Sequence, residues 1–331
     1  MKPMFRNSVS ALALLGGLAL FGLHAGEARA VVIDCNAGGS IQTELDNGQT
    51  FIEFTGTCNE FVSIVHDATT IRGNSGNPAS DVITGGMSIP GVTRVRIENL
   101  TINGSSLTIS DGAFAIITNT TIANTDAGVF VVRNSGVRFD GSTLGPSLVD
   151  DENSCGPLCL ISNSFARLVN TSVTGATNNP AIGAALILVR NSSLELRGGN
   201  TIVNTGTQFA IGVFGDSSVR QDNPTGLGTD VITGGIDVFG MSYFDLREAT
   251  VTGNVSVGLH SVFRVGNLFS GDDPSLIVIN GDISLSQDSA MTLASTQTTI
   301  NGTLTCADKE SSIAAPGLPM GTFNVVGCTF F

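Results

Sequence analysis

Arginine recurs at one point of a repeating pattern. Arg96, Arg138, Arg167 and Arg264 each stand between two apolar residues, as in Val95-Arg-Ile97 and Phe263-Arg-Val265, and Arg220 follows Val219 at the equivalent point. A guanidinium grips a carboxylate or sulfate with two parallel hydrogen bonds, so this column could hold an extended acidic polysaccharide. The whole column reads Arg96, Ile116, Arg138, Arg167, Glu195, Arg220, Asp245, Arg264 and Thr292. Its later members alternate in sign and can pair on neighbouring rungs, whereas Arg138 and Arg167 are like charges with nothing in the column to neutralise them. The other reading is a solvated charge ladder that keeps the face soluble.

A second group is Asp150-Asp151-Glu152-Asn153, in the long excursion from Gly145 to Gly156. Clustered carboxylates with an amide oxygen suit calcium, a hard cation that takes six or more oxygens, although no spaced calcium-loop motif is present. A solvated acidic loop explains the same residues, and Asp272-Asp273 reads as a turn. Beyond residue 30 the only histidines are His66 and His260 and the only lysine is Lys309. Neither histidine has a Ser or Cys partner at a recognisable motif, so nucleophilic catalysis has no support.

The elements that carry these residues emerge from self-similarity. A small polar residue, a variable one, an apolar one, an outward one and another apolar one recur, followed about five positions later by a further apolar residue. The register starts at Thr93, Ala113, Ser135, Ser164, Ser192, Ser217, Ser242, Ser261 and Ser289, at intervals of 19 to 29 residues. So variable a period excludes a strict hexapeptide helix and fits coils of three short strands with loops at the corners. The expectation is an all-β, right-handed, single-stranded parallel β-helix solenoid of about ten coils. A β-sandwich would not hold one register over so many turns. Ser80-Asp-Val-Ile-Thr-Gly-Gly86 nearly repeats as Thr229-Asp-Val-Ile-Thr-Gly-Gly235, which predicts equivalent corners. Composition agrees, with 41 glycines, no Trp, one Tyr and 13% charged residues. Ser40 can cap a short helix that turns Ile41 and Leu45 inward over the first rung.

Six cysteines allow 15 pairings, and the solenoid removes most of them. Cys155 and Cys159 lie several rungs from either end, too far to meet terminal cysteines at roughly 4.8 Å per coil. The expected pairs are Cys35–Cys58, Cys155–Cys159 and Cys306–Cys328. Residues 1–30 have the parts of a secretory signal peptide: Lys2 and Arg6, an apolar run from Ala11 to Leu23, and Ala28-Arg-Ala30. One β-helix domain over 31–331 is expected to follow, secreted to the periplasm or beyond. Without the signal, 12 basic face 27 acidic residues, a net charge of −15. Nucleic acid and anionic membrane are poor partners for that surface, and no later stretch is long and apolar enough to insert in a membrane.

Ser40-Ile41-Gln42, Phe51 to Gly56, Cys58-Asn59-Glu60, Val62, Ile64 and Thr70-Ile-Arg-Gly73 resemble the opening of the right-handed β-helix proteins of the pectin-lyase-like superfamily. The resemblance implies the scaffold and an association with carbohydrate. Asn124-Thr125-Asp126 and Asp150-Asp151 are similar to the acid and base motifs of its pectin-cleaving hydrolases, but the Gly-His-Gly and Arg-x-Lys elements are missing. Its lyases combine a calcium cluster with an arginine or lysine base, and only the arginines can be read here. The expected function is a secreted binding or surface-structural module that engages carbohydrate through an outward sheet face. The alternative is a polysaccharide-active enzyme on an acidic glycan, a calcium-dependent lyase before a hydrolase.

Overall fold

The computed structural model describes residues 30–123, 128–146, 156–175, 185–222, 227–266, 276–294, 297–315 and 324–330. Residues 1–29, which include most of the expected signal peptide, Asn124-Thr125-Asp126, Asp150 to Asn153, Cys155 and Asp272-Asp273 lie outside them.

One coil shows how the chain closes on itself. Val95–Glu98 is extended, with Val95 and Ile97 buried and Arg96 outward. Asn99 then takes a left-handed backbone conformation (φ 56°), which its short polar side chain tolerates, and turns the chain by one corner. Thr101–Asn103 forms the second side with Ile102 inward, and Leu107–Ser110 the third with Leu107 and Ile109 inward. Gly104, between them, has φ 101°, and a Cβ there would lie 2.4 Å from the Thr84 carbonyl oxygen of the coil below. Phe114–Thr118 then settles parallel on the first side, Ala115 over Val95 and Ile117 over Ile97.

Repetition of this unit builds three parallel sheets around one core. Sheet A contains Val95–Glu98, sheet B Thr101–Asn103 and sheet C Leu107–Ser110. Sheets A and B are joined through Phe51–Cys58, whose first half pairs with Thr70–Gly73 and whose second half pairs with Asp81–Ile83, giving 24 linked strands. Sheet C has 12 strands, from Val62–Ser63 to Asn324–Val326. The stack is therefore longer than the ten or so coils expected: rungs precede Thr93 at one end, and at the other Ser311 opens a further rung in register with Ser289. At about 4.8 Å per coil it is a rod of about 53 Å. The two near-identical heptapeptides are equivalent corners: Ile83 and Ile232 share one inward column of sheet B, and Asp81 and Asp230 are both fully buried.

The core is a set of stacked aliphatic columns with Phe54, Phe139, Phe244 and Phe263 fully enclosed. Each such side chain contributes about 1.5–3 kcal/mol through removal from water. Many polar residues inside the coil complete their own bonds, although the Thr298 and Ser311 hydroxyls and one Asp230 carboxylate oxygen are buried without a hydrogen-bond partner among the described residues. From Ser135 to Ser289 the small polar residue that opens the rung belongs to a buried serine ladder at the corner between sheets C and A. Its Oγ atoms accept from the rung below, from Ser192 to the Ser164 amide (3.1 Å), Ser217 to Ser192 (3.2 Å) and Ser242 to Ser217 (3.3 Å). At the corner between A and B, Thr120, Ser142, Thr171, Asn200 and Asp230 are buried, and the Asp230 carboxylate accepts from the Asn200 backbone (2.8 Å) and Nδ2 (2.9 Å).

The N-terminal lid is the helix Ile41–Asp46, with Ile41 and Leu45 buried and the Ser40 side chain accepting from the Thr43 amide. Glu60 bonds the remaining open donors of its first turn, the Ile41 amide at 2.7 Å and the Gln42 amide at 3.2 Å, and the Ser40 hydroxyl at 2.6 Å. Disulfides Cys35–Cys58 and Cys306–Cys328 fasten the two ends, with Cα separations of 5.0 and 4.8 Å. Cys159 is also disulfide-bonded. These bonds suit an oxidising compartment, periplasmic or extracellular. Among the described residues no helix is long and apolar enough to cross a membrane.

Candidate functional site

The outward sheet faces of the rod are its candidate sites, and the three faces differ in chemistry. On sheet A the arginine column stands in the expected register: Arg96 over Thr70, Ile116 over Arg96, then Arg138, Arg167, Glu195, Arg220, Asp245, Arg264 and Thr292 in unbroken succession. The structure corrects the expectation that Arg138 and Arg167 stack without neutralisation. Arg138 meets Asp140, two residues along its own strand, at 2.7 Å, and Arg167 meets Glu195 at 2.6 Å.

Arg167 is met by Glu195 on the next rung of its own column, and Arg138 by a second outward column that runs beside the first. Asp140, Arg197, Asp222 and Arg247 belong to it and close a network: Arg197 bonds Glu195 (2.7 Å) and approaches Asp222 (3.5 Å), and Arg247 bonds Asp245 (2.9 Å). Asp245 is only 2% exposed, an outward residue covered by Arg247 and by Arg264, whose Nε lies 3.9 Å away. Burial raises the Glu195 carboxyl, but hydrogen bonds from Arg167 and Arg197 prevail and hold it below the ordinary glutamate value. Arg72 bonds Glu98 (2.7 Å) and Glu53 (3.4 Å) at the start of the same face, and its hydrogen bond to Glu98 raises its already high pKa. Exposed guanidinium surface survives at Arg96, whose side chain is 54% exposed, at Arg138, 40% exposed, and at Arg220, for which no ion pair is found among the described residues.

Sheet C carries an outward apolar cluster over part of its length, interrupted by the exposed Arg190. Phe130, Cys159, Ile161, Leu188, Phe214 and Phe239 point outward and pack on one another. Next along the stack its outward column becomes polar at Gly212, Asp237, Ser256 and Ser284. A cavity of about 380 Å³ opens there, lined by Gln208, Phe209, Asn254, Ser256, Asp282 and Ser284. Burial pushes the Asp237 carboxyl above its ordinary value, against the lowering effect of its hydrogen bond with Ser256. Sequence reasoning missed this group, whose one signal is an acidic residue in a strand position otherwise held by apolar or small residues. A polar hollow of about 450 Å³ lies at the corner between C and A, among Asn163, Asn191 and Asp216.

Sheet B carries no charge in either outward column over its regular rungs. The first column runs from Val82 to Thr299 and is Thr, Ser or Val at every rung. The second includes Thr174, Val203, Thr233, Thr252 and Asn280. The sequence signal is the triplet Thr-apolar-Asn/Thr, as in Thr101-Ile-Asn103 and Thr250-Val-Thr252, which is easily taken for generic strand composition.

His66 sits in a turn where its carbonyl accepts from the Thr69 hydroxyl, and His260 lies on an exposed corner 3.6 Å from Asp288. Among the described residues no group of three or more His, Cys, Asp or Glu side chains is placed to hold a metal ion. The calcium candidates Asp150, Asp151 and Glu152 and the hydrolase-like Asp126 lie outside those residues. No family model, curated protein or solved structure matches the chain.

Proposed function

We propose that the chain is a secreted binding or surface-structural module of the pectin-lyase-like kind, engaging an acidic polysaccharide or cell-surface component through the outward face of sheet A. One observation carries this reading: in a chain of net charge −13, basic side chains stand in a line along one sheet, and Arg96, Arg138 and Arg220 keep exposed guanidinium surface there. A ligand carboxylate exchanges with the carboxylates the protein already supplies, so binding should be modest and screened by salt. The test is retention on immobilised pectate, alginate and sulfated glycan at low ionic strength, with and without calcium. The triple variant Arg96→Ala/Arg138→Ala/Arg220→Ala should lose retention. Equal retention of variant and parent would remove the arginine face from the account.

The observation that favours an enzyme is Asp237, a carboxyl held above its ordinary value beside a cavity with a second acidic residue, Asp282. Two carboxyl groups of differing environment beside one cavity are the side-chain types that general acid catalysis on glycosides uses. Incubation with the same glycans, followed by absorbance of unsaturated products and by new reducing ends, separates the readings. Turnover abolished by Asp237→Asn would establish the enzyme.

A further inference from the structure

We infer that the outward face of sheet B is an ice-binding surface, a flat array of threonine hydroxyls and methyls matched to an ordered water lattice. Three observations converge on it. The first is geometry: the column from Val82 to Thr299 is in continuous parallel register, so its members repeat at about 4.8 Å along the rod and about 6.7 Å along each strand. Those distances are close to the repeats of oxygen rows on faces of hexagonal ice. The second is chemistry: neither column holds a charged or aromatic side chain over these rungs, although the sheet A face beside it is crowded with ion pairs. Threonine and valine have few χ1 states, so little side-chain entropy is lost when such a face meets a rigid solid.

The third observation is independent of composition. The hydroxyls of Thr121, Thr143, Thr201, Thr233, Thr250 and Thr252 have no hydrogen-bond partner among the described residues, and every one of these side chains is at least partly exposed. The buried serine ladder of the same protein behaves in the opposite way. Ser192, Ser217 and Ser242 each donate to a carbonyl two or three residues back and accept from the rung below. The face therefore presents unspent donors and acceptors at lattice spacing with methyl groups between them, where a carbohydrate platform would need aromatic rings or charge.

The test uses the full, disulfide-bonded protein. Growing ice is allowed to take up protein from solution against an inert soluble protein as background, and the gap between melting and freezing points is read on single crystals. The parent chain should concentrate in ice and open such a gap. Thr201→Lys, an exposed substitution at the centre of the face, should return both readings to background, while Ser88→Lys on the sheet C face should leave them unchanged. Circular dichroism of each variant checks that the coils persist. Failure of the folded parent to enter ice, or full activity of Thr201→Lys, overturns the inference. So does a dimer in sedimentation that Thr201→Lys dissolves without any ice uptake, because it assigns the face to a second copy. These readings are independent of glycan retention through sheet A.

Discussion

Replacing Glu195 by Gln tests whether the sheet A network holds the rod or merely decorates it. Glu195 is the hub: one oxygen accepts from Arg167 at 2.6 Å and the other from Arg197 at 2.7 Å, and its side chain is only 15% exposed. Glutamine keeps the volume and one acceptor but removes the charge, leaving Arg167 beside Arg138 and Arg197 without its closer partner. A charge-assisted hydrogen bond contributes about 1.5–3 kcal/mol where it is shielded. The two arginines remain about one-third exposed, so screening reduces the pair to a combined loss of about 2 kcal/mol. The sign with pH follows from the lowered Glu195 carboxyl. Its contribution is complete above the unfolded glutamate value and disappears as pH falls through the lower folded value. Glu195→Gln should therefore be destabilised at pH 7 and converge on the parent at about pH 3 and below. Urea unfolding followed by circular dichroism and by the fluorescence of Tyr243 measures this. Tyr243 is the only tyrosine of a chain without tryptophan, and it lies on sheet A two rungs from Glu195. A loss of equal size at both pH values, or none at neutral pH, would refute the electrostatic account.

Ser217→Ala should cost about 1–3 kcal/mol, because it leaves the buried Ser192 amide without its acceptor; urea midpoints measure the loss, and Ser218→Ala on the exposed neighbour should cost almost nothing. Asp237→Asn should stabilise at neutral pH and have no effect near pH 3. The raised carboxyl opposes folding only once pH climbs above its unfolded value, and thermal melts at the two pH values read the difference. Removing the Cys306–Cys328 bond, which closes a loop of 22 residues, should lower stability by about 3 kcal/mol, with hydrogen exchange rising first in the last coils.

The inward half of the molecule was legible because a strand's period of two makes burial readable: Val95, Ile97, Ala115 and Ile117 alternate with outward residues, and the same spacing aligns coils far apart in sequence. The helix cap at Ser40 followed from its capping side chain and the inward Ile41 and Leu45, and the terminal disulfides from the stacking of coils. The outward half was less legible. Asp140 and Arg247 sit one strand position beyond the pattern, and their pairing depends on which corner ends each strand. Gln221 occupies an inward site that the pattern reserves for an apolar side chain, and it is fully buried because its amide bonds Arg247 and Glu248 on the next rung, a contact with no local sequence signal. The threonine face was hidden for the opposite reason: Thr and Val are ordinary strand formers, and only registration of distant triplets shows that they share one column.

The two terminal disulfides bear on how the rod avoids its own kind. A stack of parallel coils ends, top and bottom, in strands with unmet backbone donors and acceptors, and these ends are complementary, so the last coil of one molecule could seat on the first of another with the 4.8 Å repeat unbroken. Head-to-tail growth of that type does not close and leads to filaments. Cys35–Cys58 with the helix Ile41–Asp46 at one end, and Cys306–Cys328 at the other, stand where they would oppose that polymerisation. Reduction would then have a colloidal consequence as well as a thermodynamic one, converting discrete rods into fibres with cross-β diffraction and unaltered coils.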